Sequence, residues 1–192
     1  MNKSDYFKTE IDKIVDYNLK DFCRFMFNEE VPNYFFKIGA SASGKFHPKF
    51  SQGEGGLIRH TKAVVWFAEE LIKSSYYYLD DTYKDYILVA CLLHDIAKYG
   101  VKDEMDKGQY SSHPENASEM IANAWEVFFS EPAPFVLLNA VASHMGKWGK
   151  TKALTQIDRC VHLADYVASR NFIDIPEITE EYNSIAKNEI TD

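Results

Sequence analysis

Residues of the types that bind divalent metals recur along this chain on the apolar faces or near the ends of segments with helical periodicity. These residues are His60, His94, Asp95, His113, His144 and Asp165, and they span more than a hundred positions. Four imidazoles supply neutral nitrogen ligands, and two carboxylates supply charge-neutralising oxygens that can bridge two ions. The pattern therefore predicts a binuclear metal site built by an all-α, single-domain helical bundle.

The spacing of apolar residues predicts helices through most of the chain. The expected helices cover about residues 5–29, 57–71, 82–99, 114–128, 134–144 and 155–168. His60 falls on the apolar face of the second helix, so its imidazole is expected to point inward. Gly100 is placed to end the third helix, and Thr155 with Asp158 resembles a capping box at the start of the last. No series of strands is visible that would build a sheet.

The composition of the chain limits the classes of protein to which it can belong. The 192 residues, 46% of them hydrophobic, suffice for one substantial core. A net charge of −8 argues against a surface that binds duplex nucleic acid through clustered lysines and arginines. Three cysteines without paired spacing and a start without signal-peptide features predict a reduced, cytoplasmic protein. The longest apolar run, residues 86–93, is too short to cross a membrane, and nothing in the sequence predicts an oligomeric state.

A loop rich in Gly, Ser and Lys is expected over residues 39–56, just before His60. Residues 39–45 fit the first seven positions of a phosphate-binding P-loop, but Phe46 stands where that motif needs Ser or Thr, and Pro48 prevents a following helix. We therefore do not interpret the segment as a P-loop. Lys45 is instead expected to contact substrate, because its loop leads directly to His60.

Each ligand candidate also has a purely structural interpretation. A single histidine on an apolar helix face is more often a buried structural residue than a ligand. Asp165 is less easily explained in that way, because a buried carboxylate is costly unless it is paired or bound to metal. The inward or terminal placement of all six together favours metal binding. His47, in a loop, and His162, one turn before Asp165, lack that support, and His162 is expected at most to support a ligand.

Five segments carry a resemblance to a known family. They are GGLIRH at 55–60, ACLLHDIAKYG at 90–100, SSHPENA at 111–117, ASHMGKW at 142–148 and HLADYVASR at 162–170. Together they resemble the HD-domain superfamily of metal-dependent phosphohydrolases over about residues 50–175. We expect residues 51–175 to form that domain, residues 1–50 to pack on or extend it, and residues 176–192 to form a tail that could include a short helix.

The resemblance implies two divalent metal ions and assigns their ligands. His60, His94, Asp95 and Asp165 would hold the first ion, and Asp95 would bridge to the second, which His113 and His144 complete. His and carboxylate ligands accept Mn, Fe, Co, Ni or Zn, so the metal is not predicted. A hydroxide bridging the two ions would attack the phosphorus of a phosphate ester or anhydride, and we expect the substrate to be a nucleotide.

Several cations and one aromatic residue lie close to these ligands in the sequence. Lys98 is one helical turn from His94 and Asp95, so we expect it to take part in catalysis beside a phosphate or leaving oxygen, although it could instead complement a helix C-terminus. Lys147, Trp148 and Lys150 follow His144 and could bind phosphate and stack a base, although a solvated basic loop is common. Arg59, next to His60, is a further candidate for binding substrate.

Two alternative functions stay open from the sequence. Some HD-domain proteins use the same six ligand types to hold mixed-valence iron in an oxygenase, and iron content with oxygen uptake would identify that function. The other alternative is a non-catalytic nucleotide-binding regulatory module, which would bind ligand without turnover. Lys98 and the basic surroundings favour phosphate chemistry over the oxygenase, and the intact ligand set argues against a module without activity.

Overall fold

Eight α-helices build the part of the chain that the computed structural model describes, which is residues 2–41, 47–74 and 79–188. They are α1 (Lys8–Ile11), α2 (Tyr17–Phe25), α3 (Gly56–Lys73), α4 (Asp81–Leu93), α5 (His113–Phe129), α6 (Phe135–Ala142), α7 (Gln156–Ala168) and α8 (Pro176–Asn188). Within these ranges there is no β-strand, and one isolated bridge joins Lys98 to Gly100. The all-α class predicted from the sequence is confirmed.

Helix α3 lies at the centre of the bundle. It packs against α7 and α4, while α4, α6 and α7 contact one another and α5 packs on α6. The buried core consists mainly of aliphatic and aromatic side chains from these helices and from the N-terminal segment. No helix in the described residues is both long and apolar enough to cross a membrane. The helices that carry the predicted metal ligands therefore meet in one core.

The N-terminal segment does not form the single helix expected over residues 5–29, so that prediction is wrong. A 3-10 turn over Lys3–Phe7 leads into the short α1, the chain then turns, and α2 begins after Asp16. The Asp16 carboxylate accepts from the backbone N–H groups of Asn18 and Leu19 and so caps α2. Asp85 of α4 accepts from the N–H groups of Val15 and Asp16, both at 2.8 Å. Because these two carboxylates accept hydrogen bonds from backbone N–H groups, they stabilise the turn between α1 and α2.

Helix α4 ends at Leu93, six residues before the predicted end at Tyr99. His94 is its C-cap residue, and residues 94–100 form a series of tight turns. The Tyr34 hydroxyl stabilises these turns, because it donates to the Gly100 carbonyl at 2.6 Å and accepts from the Tyr99 N–H at 3.0 Å. Gly100 has φ = +99°, a conformation that other residues rarely adopt. The His-Asp dipeptide therefore sits in a turn rather than on a helix.

The start of α7 has the capping box expected from Thr155 and Asp158. The Thr155 hydroxyl accepts from the Asp158 N–H at 3.2 Å, and Asp158 accepts from the Thr155 N–H at 2.9 Å. Asp158 also accepts from the Asn139 side chain at 2.7 Å, which ties α7 to α6. This network fixes the helix that carries Asp165.

Helix α8 packs against α3 and against the 3-10 turn at the N-terminus. The Tyr182 ring lies directly over Gly55, where a Cβ atom would overlap the ring, and Gly55 has φ = +64°. Any other residue at position 55 would be strained and would displace Tyr182. The expected short helix in the C-terminal tail is thus present. The predicted domain boundaries near residues 50 and 175 stay a prediction.

Candidate metal centre

The structure brings the six predicted ligand residues to one buried place. His60 lies in the first turns of α3, His94 and Asp95 follow α4, His113 starts α5, His144 follows α6, and Asp165 lies on α7. Two groups of three have ligand atoms within 4.8 Å of one another, and they share Asp95. The first is His60, His94 and Asp95, and the second is Asp95, His113 and His144. A shared carboxylate is the geometry that a bridged pair of cations needs.

Asp165 extends the first group. Its Oδ1 atom lies 3.1 Å from Nε2 of His60 and 3.9 Å from Nε2 of His94. The same nitrogen of His94 lies 3.5 Å from Oδ2 of Asp95. Two imidazoles and two carboxylates therefore surround one position, and they come from α3, α7 and the turn after α4.

The second group is built around the other oxygen of Asp95. Its Oδ1 atom lies 2.9 Å from Nε2 of His113 and 3.7 Å from Nε2 of His144. The two Nε2 atoms are themselves 3.1 Å apart. Asp95 thus presents one oxygen to each group, with α5 and α6 supplying the two imidazoles of the second.

Backbone carbonyls fix the orientation of three of the four imidazoles. The Nδ1–H of His94 donates to Cys91 O at 2.8 Å. In the same way His113 donates to Tyr110 O at 2.5 Å and His144 donates to Val141 O at 2.7 Å. In a neutral ring a proton on Nδ1 leaves the lone pair on Nε2, which here points into the cluster. Outer hydrogen bonds of this kind are typical of histidines that bind metals.

The buried donor atoms fit divalent cations. Nε2 of His94 is fully buried and has no hydrogen-bond partner among the described residues. In the neutral rings that metal binding requires, the Nε2 lone pairs of His113 and His144 face each other at 3.1 Å. Such an arrangement is repulsive unless a positive charge lies beside both nitrogens. The cluster of nitrogen and carboxylate donors is therefore suited to metal ions.

Charge interactions keep most of these groups in the form that binds metal. Burial alone would raise the pKa of Asp95, but Lys98 and His94 outweigh it and hold that pKa well below its usual range. Burial alone would also raise the pKa of Asp165, but the hydrogen bond with His60 and the charges of His94, His60 and His144 together outweigh it and lower that pKa. Burial lowers the pKa of His60, and it lowers that of His144 to about 3. His94 differs, since the Asp95 carboxylate overcomes burial and raises its pKa.

Lys98, the predicted catalytic cation, is buried beside the cluster. Its Nζ atom donates to Oδ2 of Asp95 at 2.5 Å and lies 6.0 Å from the centre of the Tyr110 ring. Burial lowers the pKa of a lysine, but Asp95 more than compensates, and the pKa of Lys98 is raised. The ammonium group is thus charged at neutral pH and lies next to the carboxylate that the two ligand groups share.

A cavity of about 800 Å³ opens beside Asp165. The Trp148 and Tyr166 rings in its lining stack nearly in parallel, with centres 6.0 Å apart and planes 11° apart. The Arg170 guanidinium lies 4.1 Å from the centre of the Tyr166 ring. Tyr110 and His162 also line this cavity, and Nδ1–H of His162 donates to the His144 carbonyl at 2.6 Å. A flat ligand that carries negative charge suits such a lining.

The predicted substrate-binding residues are placed less uniformly than the ligands. Trp148 lines the cavity, and Lys147 lies against the Trp148 ring with Nζ 4.7 Å from its centre. Lys150 instead donates to the Ser112 hydroxyl at 3.2 Å. Arg59 points away from the metal cluster and does not line this cavity. Lys45 lies outside the described residues.

The cavity also contains His47, which the sequence did not support as a functional residue, and three residues that the sequence did not single out. The His47 ring packs against that of His60, with centres 5.2 Å apart, and burial lowers the pKa of His47 to about 3. Tyr110, Tyr166 and Arg170 line the same space. Tyr166 and Arg170 follow Asp165 at intervals of one and five residues. Tyr166 lies on α7 and Arg170 lies just after its end, and this closeness to Asp165 was a signal that could have identified them.

The chain belongs to the HD domain family, because residues 57–170, more than half of its length, match that family. It is also 28% identical over 136 residues to the dihydroneopterin 2′,3′-cyclic phosphate phosphodiesterase of Methanocaldococcus jannaschii. The matched stretch covers 68% of the chain and 52% of that enzyme, so the chain spans about half the length of this curated relative. No solved structure matches the chain. The family predicted from the motifs is confirmed, and both matches support a metal-dependent hydrolase.

Proposed function

We propose that the protein is a phosphohydrolase that uses two divalent metal ions to cleave a phosphate ester or anhydride of a nucleotide. The observation that carries this proposal is the position of Asp95, which offers one oxygen to each of two buried ligand groups. The aromatic cavity beside Asp165 supplies the space for a substrate. The family match and the phosphodiesterase relative support the same reaction class.

We assign the six candidate ligands to two metal ions. His60, His94 and Asp165 would hold one metal, His113 and His144 would hold the other, and Asp95 would contact both. When bound, such a pair of ions lowers the pKa of a shared water and offsets negative charge on phosphoryl oxygens. The ligand types accept Mn, Fe, Co, Ni or Zn. The backbone carbonyls behind three of the histidines hold the rings in place before metal arrives.

Lys98 is the protein group best placed to act on the substrate. Its charged ammonium lies beside Asp95 and near the Tyr110 ring, which lines the cavity. A phosphoryl or leaving oxygen that enters from the cavity would therefore meet a fixed positive charge. Stabilisation of developing negative charge by a group that needs no rearrangement is among the larger contributions to catalysis.

The cavity favours a substrate with a planar ring. Trp148 and Tyr166 offer stacked aromatic faces, and base stacking on such faces contributes about 1–3 kcal/mol per base. Arg170 and the nearby Lys147 add positive charge at the same wall. The relative is named for a 2′,3′-cyclic phosphate, so cyclic phosphates belong among the substrates tested. A nucleoside phosphate, linear or cyclic, meets these requirements.

The test is phosphate or phosphomonoester release from nucleotides, dinucleoside polyphosphates and 2′,3′-cyclic nucleotides, with Mn, Co or Fe supplied. We expect turnover of one of these classes, and its loss in Asp165→Asn. The matched control is Asp174→Asn, which removes the same charge from an exposed position that does not contact the cluster. Turnover that survives in Asp165→Asn, or is absent with every metal and substrate class, would contradict the proposal.

We infer that the protein acts on a small molecule and lies in a reducing, cytoplasmic compartment. Cys23, Cys91 and Cys160 are buried free thiols, which supports a reducing compartment. The excess of acidic over basic residues argues against duplex nucleic acid as a partner. Fractionation of the native cells tests the location, and recovery of the protein outside the cytoplasmic fraction would contradict it.

A further inference from the structure

A second cavity, which we call the basic cavity, lies away from the metal centre. It has a volume of about 830 Å³ and is lined by residues between Lys3 and Arg59 and between Thr179 and Ala186. Apart from Arg59, every lining residue falls outside the stretch that matches the HD domain family. The basic cavity is therefore made by the terminal segments of this chain rather than by the family's shared core.

The lining of the basic cavity is positively charged in a chain whose net charge is −8. It contains the four cations Lys3, Lys37, Lys49 and Arg59 against one carboxylate, that of Glu54. Six other lysines of the protein pair with a carboxylate within 4 Å; they are Lys8, Lys13, Lys62, Lys73, Lys84 and Lys98. Lys3, Lys37 and Lys49 form no such pair among the residues described. The Asp103 carboxylate interacts with the charges of Lys3 and Lys37 but pairs directly with neither, so a bound anion can still contact these lysines.

Arg59 is a buried cation that has no carboxylate counterion in the part of the chain that the structure describes. It is 9% exposed, and its guanidinium donates to the Phe50 carbonyl and, at 2.9 Å, to the Gln52 carbonyl. It also stacks over the Tyr182 ring, 4.6 Å from its centre. These partners are neutral, and no carboxylate in the described residues lies within 4 Å of the guanidinium. A buried charge without compensation is costly, and a bound anion would supply the missing charge.

An aromatic wall faces these cations. The rings of Tyr6 and Tyr182 stack with centres 5.8 Å apart, and the Phe36 ring lies 6.0 Å from that of Tyr6. Lys3 reaches over the Phe36 ring at 5.6 Å. Aromatic faces beside lysines and an arginine can bind a planar ring and its phosphates together.

We propose that the basic cavity is a second nucleotide-binding site, with the phosphates beside Arg59, Lys37 and Lys49 and the base against the wall of Tyr6, Phe36 and Tyr182. The two cavities have different linings, so this site does not depend on the proposed phosphohydrolase function. Its ligand is a small nucleoside phosphate whose diphosphate portion contributes much of the binding.

The test is calorimetry of the full chain, loaded with manganese, using α,β-methylene-ADP as a probe that cannot be hydrolysed between its two phosphorus atoms. We expect two binding events in the wild type. Lys37→Gln/Lys49→Gln should weaken one of them by about tenfold or more, since each lost charged contact costs on the order of tenfold. The control Lys73→Gln/Lys152→Gln removes the same charge from positions outside both cavities and should change neither event.

Further variants separate this proposal from the proposed function. His113→Ala should weaken only the binding event at the metal centre. Phe36→Leu should weaken binding of the nucleotide to the basic cavity, but it should not change binding of pyrophosphate there. A single event that depends on Lys37 and Lys49 but not on His113 would support the second site while contradicting nucleotide binding at the metal centre. Binding that is the same in wild type and Lys37→Gln/Lys49→Gln would overturn the second site.

Discussion

Lys62 is a fully buried lysine whose replacement should destabilise the fold by a calculable amount. Its ammonium lies 2.6 Å from Glu10 and 3.1 Å from Glu181, so it joins the N-terminal segment and α8 to α3. Lys62 is 1% exposed and Glu10 is 4% exposed. Lys62→Met keeps an unbranched apolar stem of similar length and removes the ammonium group with its hydrogen bond to Glu10.

The expected cost follows from the carboxylate left behind. Removing one partner of a buried ion pair typically costs about 3–5 kcal/mol, because the other charge stays buried without compensation. Here that charge is on Glu10, while Glu181 is about a third exposed and is partly solvated. We therefore expect Lys62→Met to lose about 3–5 kcal/mol at neutral pH. Lys62→Met/Glu10→Gln should recover most of this loss, since neither charge is then present.

The loss of unfolding free energy in Lys62→Met should depend on pH. Burial raises the pKa of Glu10 above its ordinary value although Lys62 lowers it. Folding therefore disfavours the ionised form of Glu10. The contribution of Glu10 to stability is fully present below its unfolded-state pKa. It is lost as the pH rises through the higher folded-state pKa. Without Lys62 the folded-state pKa rises further. The deficit of Lys62→Met should therefore be larger at about pH 8 than at about pH 5.

Urea unfolding of chelator-treated protein, followed by tryptophan fluorescence, measures these free energies without a contribution from bound metal. Lys73→Met serves as the control, because Lys73 lies on the same helix but is exposed, and no measurable change is expected. A loss in Lys62→Met no greater than in Lys73→Met, or a double variant no more stable than Lys62→Met, would refute the reasoning.

Three further predictions concern the metal centre and its cavity. Asp165→Ala should lose about one metal per chain by elemental analysis, and full occupancy would contradict its role as a ligand. Trp148→Leu should raise KM for a nucleotide about tenfold, from the loss of one stacking contact, with unchanged metal content; an unchanged KM would remove the proposed base contact. The raised pKa of His94 means that metal must displace a proton, so metal affinity should rise with pH until His94 is neutral; a pH-independent affinity would contradict this.

The convergence of the six candidate ligands could be predicted because side chains on inner faces or at the ends of helices in a bundle point to a common interior. His60 and Asp165 have helical spacing with apolar neighbours, and both reach the cluster. The end of α4 was predicted less well. Residues 94–99 continue the apolar pattern of that helix, but hydrogen bonds from Tyr34, more than sixty residues away, stabilise turns instead. A contact of that range is not visible in local periodicity.

The direction of side chains next to the ligands could not be predicted either. Arg59 is adjacent to His60, and neighbours on a helix point about 100° apart, so one reaches the metal centre and the other the basic cavity. His47 approaches His60 only because the segment after residue 46 folds back against α3, supported by the bonds from Arg59 to Phe50 and Gln52. Loops of this kind carry no periodic signal.

The central claim is tested most directly by measuring metal content and hydrolysis on the same preparation of the full chain. We predict about two divalent metals per chain and metal-dependent turnover of one class of nucleotide substrate, with both lost when Asp95 is replaced by Ala. Two iron ions with oxygen uptake and no hydrolysis would identify an oxygenase, and nucleotide binding without turnover would identify a regulatory module. A chain that binds no metal under any condition would contradict the account.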